Sequence, residues 1–231
     1  MAGLGFKDFQ VGEVLTSADV DGYLMQQTVM RFADAGARGS ALGTATGTAV
    51  PLAEGMVSYL DDVNQVQVYN GTAWTAAGRL AQVVQTVRTD TFTESVAQGA
   101  VSGDAITASI TPSSSASKVL VVAHLSVGQS ADNQTTPVLY RAGSVTTFIG
   151  DADGNRQRVT TGNPNFAFTP MSVSFMALDS PATTSATTYS VRIGHNAAAT
   201  QTIYLNRSAS DTNADTTARA ISTLTLMEVA A

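Results

Sequence analysis

The chain contains no cysteine in its 231 residues, and only 13% of them are charged. Without cysteine, neither a disulfide framework nor a thiolate metal site can form. Two histidines leave few side chains for imidazole catalysis or metal ligation. No apolar run approaches the roughly 18 residues that a membrane span needs. We therefore expect a protein without membrane insertion, bound metal or cofactor.

Excess positive charge is also missing, because the formal net charge is −6. Nucleic-acid binding needs clustered Lys and Arg to displace counterions, so we expect no nucleic-acid partner. The residues after Met1 lack the basic and long apolar segments of a secretory signal, and none is expected. With 44% apolar residues, solubility must come from hydroxyl and amide groups, a composition that suits subunit packing or contact with neutral sugars.

The most informative segment present is residues 119–127, in which every odd position is apolar. The even positions change from Leu and Val to His124 and Ser126. This period of two predicts a strand with one face in a core and the other partly covered.

A pattern of short runs rich in Val, Ile, Thr, Phe and Tyr continues through the C-terminal part of the sequence. Further strands are predicted at 83–89, 105–110, 137–149, 166–178, 187–194, 201–206 and 219–229. About eight strands in roughly 150 residues match the size of a single sandwich or jelly roll. The predicted fold class is mainly β, with a jelly-roll-like β-sandwich at 80–231, which we call the knob.

The N-terminal part, residues 1–79, has a different character. Thr16 and Ser17 are natural N-caps, and residues 17–35 are predicted to form a helix. Its apolar residues cover two faces of the helix. These faces are expected to pack either within the helix's own domain or against other copies of the chain or another protein. The residues assigned to this attachment helix are Val20, Tyr23, Leu24, Met25, Val29, Met30 and Phe32.

Residues 36–51 are rich in Gly, Ala and Thr and predict a connector. Residues 56–60 and 65–69 then predict a small hairpin with a polar turn between its strands. Asn70 and Gly71 supply a further tight turn before Trp74, which we expect to pack on this small sheet.

Chemistry-bearing motifs are sparse. His124 is expected to be a structural histidine, and no Gly-x-Ser-x-Gly elbow, phosphate loop or His-Glu-x-x-His helix is present. We therefore predict no enzyme. Glycoside hydrolysis by two carboxylates stays open, because such pairs are formed in space and not in sequence.

The loop sequence around residue 154 offers two alternatives. Residues 151–155 resemble the start of a calcium loop but lack its distant glutamate, so an Asp-Gly turn is favoured. Arg156 and Arg158 alternate and would point to one sheet face, where they are either solvated or hold an anionic group of a glycan. Candidate receptor-binding residues in presumed loops are Asn155, Arg156, Arg158, Asn206 and Arg207.

Taken in order, several motifs resemble those of bacteriophage tail-fibre and virion-spike proteins. They are GEVLTSADV at 12–20 with the helix after it, YNGTAW at 69–74, QVVQT at 82–86, DTF at 90–92, ITPSS at 110–114, LDSP at 178–181, TYSV at 188–191 and ISTLTLME at 221–228. Each motif alone is weakly specific, and their order carries the resemblance.

The resemblance implies a short, homotrimeric tail fibre located on the virion. Residues 1–79 would attach to other virion proteins and assist trimerisation, and the knob would bind a host cell-surface glycan or protein. Two alternatives remain: a capsid-decorating or fibre-anchoring spike without receptor binding, and a glycan-depolymerising tailspike enzyme.

Overall fold

The computed structural model describes residues 11–14, 16–17, 29–42, 52–78, 80–165, 169–215 and 217–230. The described chain is mainly β, as predicted. It divides into two compact units, Met1–Arg79 and Leu80–Ala231. The roles that the sequence assigns to these two parts remain predictions.

The described residues of the first unit include a four-stranded sheet and a short helix. The elements are β1 (Met30–Phe32), α1 (Ala35–Ala41), β2 (Val57–Leu60), β3 (Gln65–Tyr69) and β4 (Trp74–Ala76). The strand order is β1-β2-β3-β4, with β1 parallel to β2 and the other pairs antiparallel. The predicted hairpin is confirmed by the pairing of β2 with β3.

The predicted helix over 17–35 is wrong at its C-terminal end. Met30 and Phe32 lie in β1, and Val29 precedes that strand with 60% of its surface exposed. In β1, Met30 aligns with Ser58 and Phe32 with Leu60 of β2. Pairing with a strand distant in sequence therefore overrides the local helical periodicity. Val20, Tyr23, Leu24 and Met25 lie outside the described residues.

A separate short helix begins after Asp34, whose side-chain Oδ1 accepts a 2.7 Å hydrogen bond from the backbone N–H of Ala37. This is an ordinary N-cap, and it starts α1 within the segment that the glycine content had marked as a connector. The connector prediction is therefore wrong for residues 36–41, and residues 43–51 lie outside the described part.

Trp74 packs on the small sheet, as expected. Its ring lies 5.5 Å from that of Tyr69, and the guanidinium of Arg38 sits 4.3 Å over it. Arg38 also donates hydrogen bonds to Oγ of Ser58 (3.0 Å) and Oε1 of Gln67 (2.6 Å). Helix α1 is thereby tied to β2 and β3.

The second unit holds two antiparallel sheets. Its strands are β5 (Leu80–Arg88), β6 (Phe92–Val96), β7 (Ile106–Ile110), β8 (Lys118–Gln129), β9 (Asn133–Arg141), β10 (Ser144–Val145), β11 (Asn163–Asn165), β12 (Met171–Asp179), β13 (Thr187–His195), β14 (Gln201–Leu205) and β15 (Ser222–Val229). A five-stranded sheet has the order β10-β9-β13-β7, with β11 also paired to β9. A six-stranded sheet has the order β5-β15-β8-β14-β6, with β12 also paired to β8.

Strand β8 confirms the period of two seen in the sequence. Val119, Val121, Ala123, Leu125 and Val127 are all fully buried. They belong to one apolar core that also contains residues of the five-stranded sheet, among them Leu139, Val191 and Ile193. The two sheets therefore enclose a shared core, as a β-sandwich does. The finer jelly-roll assignment remains a prediction.

The strand predicted at 137–149 is wrong in its second half. Strand β9 ends at Arg141, and the chain reverses at Ala142 (φ 49°) and Gly143 (φ 79°) before β10. Positive φ at both positions makes a tight turn that the glycine alone did not reveal. Strand β6 was not predicted, because its sequence, Phe-Thr-Glu-Ser-Val, is short and contains a carboxylate.

Candidate functional site

The knob carries a polar cleft of about 390 Å³ near the start of β9 and the end of β13. Most of its lining consists of amide side chains, and we call it the amide cleft. The amide and charged residues that define it are Gln98, Gln134, Asn155, Arg156, Gln157 and Asn196. These residues come from four separate segments, which the sandwich brings together.

Hydrogen bonds fix two walls of the amide cleft. The backbone N–H of Gln134 donates to Oδ1 of Asn196 (2.9 Å), and the backbone N–H of Asn196 donates to the carbonyl of Gln134 (3.2 Å). Nε2 of Gln157 donates to the carbonyl of His195 (3.0 Å). The loop that contains Gln157 is therefore held against the end of β13.

His195 ends β13, directly before Asn196 of the cleft, and is fully buried. Its Nδ1 accepts a 3.2 Å hydrogen bond from the backbone N–H of Ala197. This assigns the proton to Nε2, which lies 2.9 Å from the carbonyl of Val96 and donates to it. The ring thus joins the ends of β6 and β13, and both of its nitrogens are used structurally.

Of the predicted receptor residues, Asn155 and Arg156 lie in the amide cleft. Arg156 forms an ion pair with Asp153 on the same loop. Arg158 does not line the cleft, and its Nε donates to the carbonyl of Gly150 (2.7 Å). The expectation that both arginines point to one sheet face is wrong, because residues 151–162 form no strand.

The turn favoured for residues 151–155 is present, with Gly154 at φ 57°. Among the residues that the structure describes, no group of three His, Asp or Glu side chains could hold a metal ion. In the same residues, no helix is long and apolar enough to cross a membrane.

Asn206 is fully buried, so its assignment as a receptor contact is wrong. Its Nδ2 donates to the carbonyls of Arg88 (2.9 Å) and Asp90 (2.8 Å). Its Oδ1 accepts from the hydroxyl of Ser222 (2.6 Å). The Asn206 side chain therefore satisfies two backbone carbonyls and a serine hydroxyl beside the end of β14. Its φ of 64° lies in the left-handed region, which asparagine adopts more readily than most residues.

Arg207 is engaged within the knob. Its guanidinium lies 4.2 Å over the ring of Tyr204 and 3.3 Å from a carboxylate oxygen of Asp211. Its Nη2 also donates to Oγ1 of Thr93 (3.2 Å). With 16% of its side chain exposed, Arg207 presents little surface to a ligand.

The amide cleft is suited to a neutral, hydroxyl-rich ligand. Each amide offers a carbonyl acceptor and an NH₂ donor, so one side chain can serve both roles of a sugar hydroxyl. Arg156 adds one cation at the cleft. The sequence could not identify Gln98, Gln134, Gln157 and Asn196, because only the fold brings their four segments together.

Comparisons with known proteins find no matching family model and no matching curated protein. Among solved structures, the chain is similar to one described as the structure of infectious bursal disease virus Gx strain. The identity is 15% and the TM-score is 0.34, over 80% of this chain and 42% of that chain. The aligned region thus spans less than half of that chain.

Proposed function

We propose that this chain is a bacteriophage virion protein, a short homotrimeric tail fibre whose knob binds a host cell-surface glycan. The observation that carries the proposal is the amide cleft, which presents five amide side chains and one arginine on a sandwich end. Loops positioned by a rigid scaffold commonly carry recognition.

The chemistry of the cleft supports binding without turnover. The most buried carboxylates of the knob, Asp179 and Glu228, lie outside the cleft and accept hydrogen bonds from their own neighbours. Exposed amide contacts give modest affinity per site, since a typical hydrogen bond contributes about 0.5–1.5 kcal/mol. Three linked knobs would raise the apparent affinity through effective concentration.

The direct test is binding of the full chain to an array of bacterial surface glycans, compared with the double variant Gln98→Ala, Asn155→Ala. Both residues are exposed, so the fold should be kept. We expect roughly tenfold weaker binding from the loss of two amides. Thr107→Ala, at an exposed position of β7, is the matched control and should bind normally.

Each alternative function predicts a different outcome. Shortening of the bound glycan would replace the proposal with a depolymerising enzyme. A decorating spike would be favoured by two results together: the chain binds neither glycans nor host cells, and labelling of intact particles locates it on the capsid. Deletion of residues 1–35 should abolish incorporation into particles if the N-terminal part attaches the fibre.

A further inference from the structure

Two amides of the amide cleft are held in one orientation by backbone atoms. Oδ1 of Asn196 accepts a hydrogen bond from the backbone N–H of Gln134 (2.9 Å), and Nε2 of Gln157 donates to the carbonyl of His195 (3.0 Å). A backbone N–H can only donate and a carbonyl can only accept, so neither amide can be turned over without losing its bond. The positions of the donor and the acceptor on each amide are therefore known.

Each of these amides leaves its other polar atom for a ligand. Nδ2 of Asn196 is a donor, and Oε1 of Gln157 is an acceptor. No hydrogen bond joins either atom to another of the residues that the structure describes. Both side chains are exposed, and both line the amide cleft. The cleft thus offers a fixed donor and a fixed acceptor on different side chains.

The two amides are anchored at the same place in the fold. The carbonyl that Gln157 contacts belongs to the peptide bond between His195 and Asn196, at the end of β13. Asn196 is held twice, because its backbone N–H also donates to the carbonyl of Gln134 (3.2 Å). The free donor and the free acceptor therefore lie on neighbouring parts of the cleft.

An aliphatic side chain, that of Val159, lines the same cleft and is half-buried. Its backbone is fixed, because its carbonyl accepts from the N–H of Gly150 (3.1 Å). The next residue, Thr160, donates its backbone N–H to the carbonyl of Pro137 (3.1 Å). A ligand group that combines a methyl with a donor and an acceptor fits this part of the cleft.

The cation of the cleft does not favour an acidic ligand. Arg156 already forms an ion pair with Asp153 on the same loop. A carboxylated sugar would have to displace Asp153 or approach a pair with no net charge. An uncharged group is therefore the better ligand class.

We propose that the amide cleft binds an N-acetylated amino sugar through its acetamido group. The acetamido carbonyl accepts from Nδ2 of Asn196, its N–H donates to Oε1 of Gln157, and its methyl packs on Val159. A planar trans amide presents its N–H and its carbonyl in opposite directions, so it can meet a donor and an acceptor on two walls at once. The acetamido assignment rests on the proposed glycan binding, and it specifies the class of sugar that the knob selects.

A hydroxyl group at the same position of the sugar fits less well. It carries donor and acceptor on a single oxygen, and it has no methyl for Val159. Either Asn196 or Gln157 would then be left without its ligand partner. A site that is built around hydrogen bonds discriminates against analogues that leave those bonds unmade.

The test uses pairs of oligosaccharides that share their linkage and differ only in an acetamido group or a hydroxyl. Suitable pairs are N-acetylglucosamine against glucose and N-acetylgalactosamine against galactose. We expect the full chain to bind the acetamido member of at least one pair about tenfold more tightly. Equal binding within every pair, or binding to neither member of any pair, would overturn the assignment.

Two substitutions remove only the free halves of the amides. Asn196→Asp keeps the oxygen that accepts from Gln134 and replaces the free donor by a second acceptor, whereas Gln157→Lys keeps a donor for the carbonyl of His195 and removes the acceptor. Each should abolish the acetamido preference. Asn213→Asp, at an exposed position of another loop, makes the same change of charge as Asn196→Asp and should retain the preference. A preference that survives both cleft substitutions would overturn the assignment.

Two outcomes separate this assignment from the proposed function. Binding to an array of bacterial surface glycans without any acetamido preference would overturn the assignment and leave glycan recognition standing. Binding to no glycan at all would overturn both.

Discussion

The hydroxyl of Tyr189 donates a 2.6 Å hydrogen bond to Oδ2 of Asp179 and so joins the two sheets of the knob. Tyr189 lies on β13 of the five-stranded sheet, and Asp179 ends β12 of the six-stranded sheet. Arg141 donates to the same carboxylate oxygen (2.6 Å). Burial and the hydrogen bond to Asp179 both raise the pKa of Tyr189, so its hydroxyl remains protonated as a donor.

The first prediction concerns this contact. Tyr189→Phe should lower the free energy of unfolding of the knob by about 1–2 kcal/mol, because the buried carboxylate loses one of its two donors. Urea denaturation followed by circular dichroism measures the effect. Tyr59→Phe removes an exposed hydroxyl and should change stability by less than about 0.5 kcal/mol. Equal effects of the two variants would contradict a role of Tyr189 in joining the sheets.

The second prediction concerns Glu228, which is fully buried on β15. Its carboxylate accepts hydrogen bonds from Nε2 of Gln82 (2.6 Å), and from the backbone N–H (2.7 Å) and hydroxyl (2.6 Å) of Ser113. Burial alone would raise the pKa of Glu228, but these donors outweigh it and the pKa is lowered.

A lowered pKa means that the folded chain holds this proton less tightly than the unfolded chain. The carboxylate therefore stabilises the fold above the ordinary glutamate value of 4.5, and this contribution is lost as pH falls below it. Glu228→Gln should be less stable at pH 7 and should lose less stability on acidification. Parallel curves of melting temperature against pH for the two proteins would show that Glu228 is not responsible.

The third prediction uses two glycines in the knob. A Cβ on Gly128 would lie 2.6 Å from the backbone oxygen of Arg207, which cannot move without shifting the chain. Gly128→Ala should therefore cost about 1–3 kcal/mol through overpacking. Gly150 has open space around the same position, and Gly150→Ala should be nearly neutral in thermal unfolding. A stable Gly128→Ala protein would indicate that β8 and the segment after β14 separate easily.

The fourth prediction is that residues 80–231 fold without residues 1–79. Every residue of the shared apolar core lies within this range. The isolated fragment should give a cooperative thermal transition by circular dichroism and, as a knob of the proposed homotrimer, should assemble into trimers. The lone Trp74 is removed with the first unit, so tryptophan fluorescence provides a check on the fragment's purity. A non-cooperative transition would mean that the knob depends on the N-terminal part.

The sequence predicted the sandwich best where burial alternates strictly. Strand β8 shows this, because its odd positions from 119 to 127 are apolar and all of them are buried in the core. The prediction from sequence failed at β1, where the backbone of Met30 and Phe32 pairs with β2. Met30 aligns with Ser58, so the two paired segments are 28 residues apart in the chain. Local periodicity contains no information about such a partner.

The candidate site was only partly predictable. Asn155 and Arg156 stand out in sequence because they directly follow Gly154 in a predicted turn. Asn206 has the same polar, turn-rich context, yet its amide is consumed by two backbone carbonyls and a serine hydroxyl. Composition cannot distinguish an amide that faces solvent from one that completes a buried strand end.

Strand β8 also restricts how this protein can change during evolution. It pairs with β12, with β15 and with β14, so three registers depend on its length. One inserted residue would move His124 towards the interior, turn neighbouring aliphatic side chains outward and misalign all three partners. Insertions and deletions should therefore accumulate in the loop over 146–162, whereas the length of β8 should stay constant among related sequences.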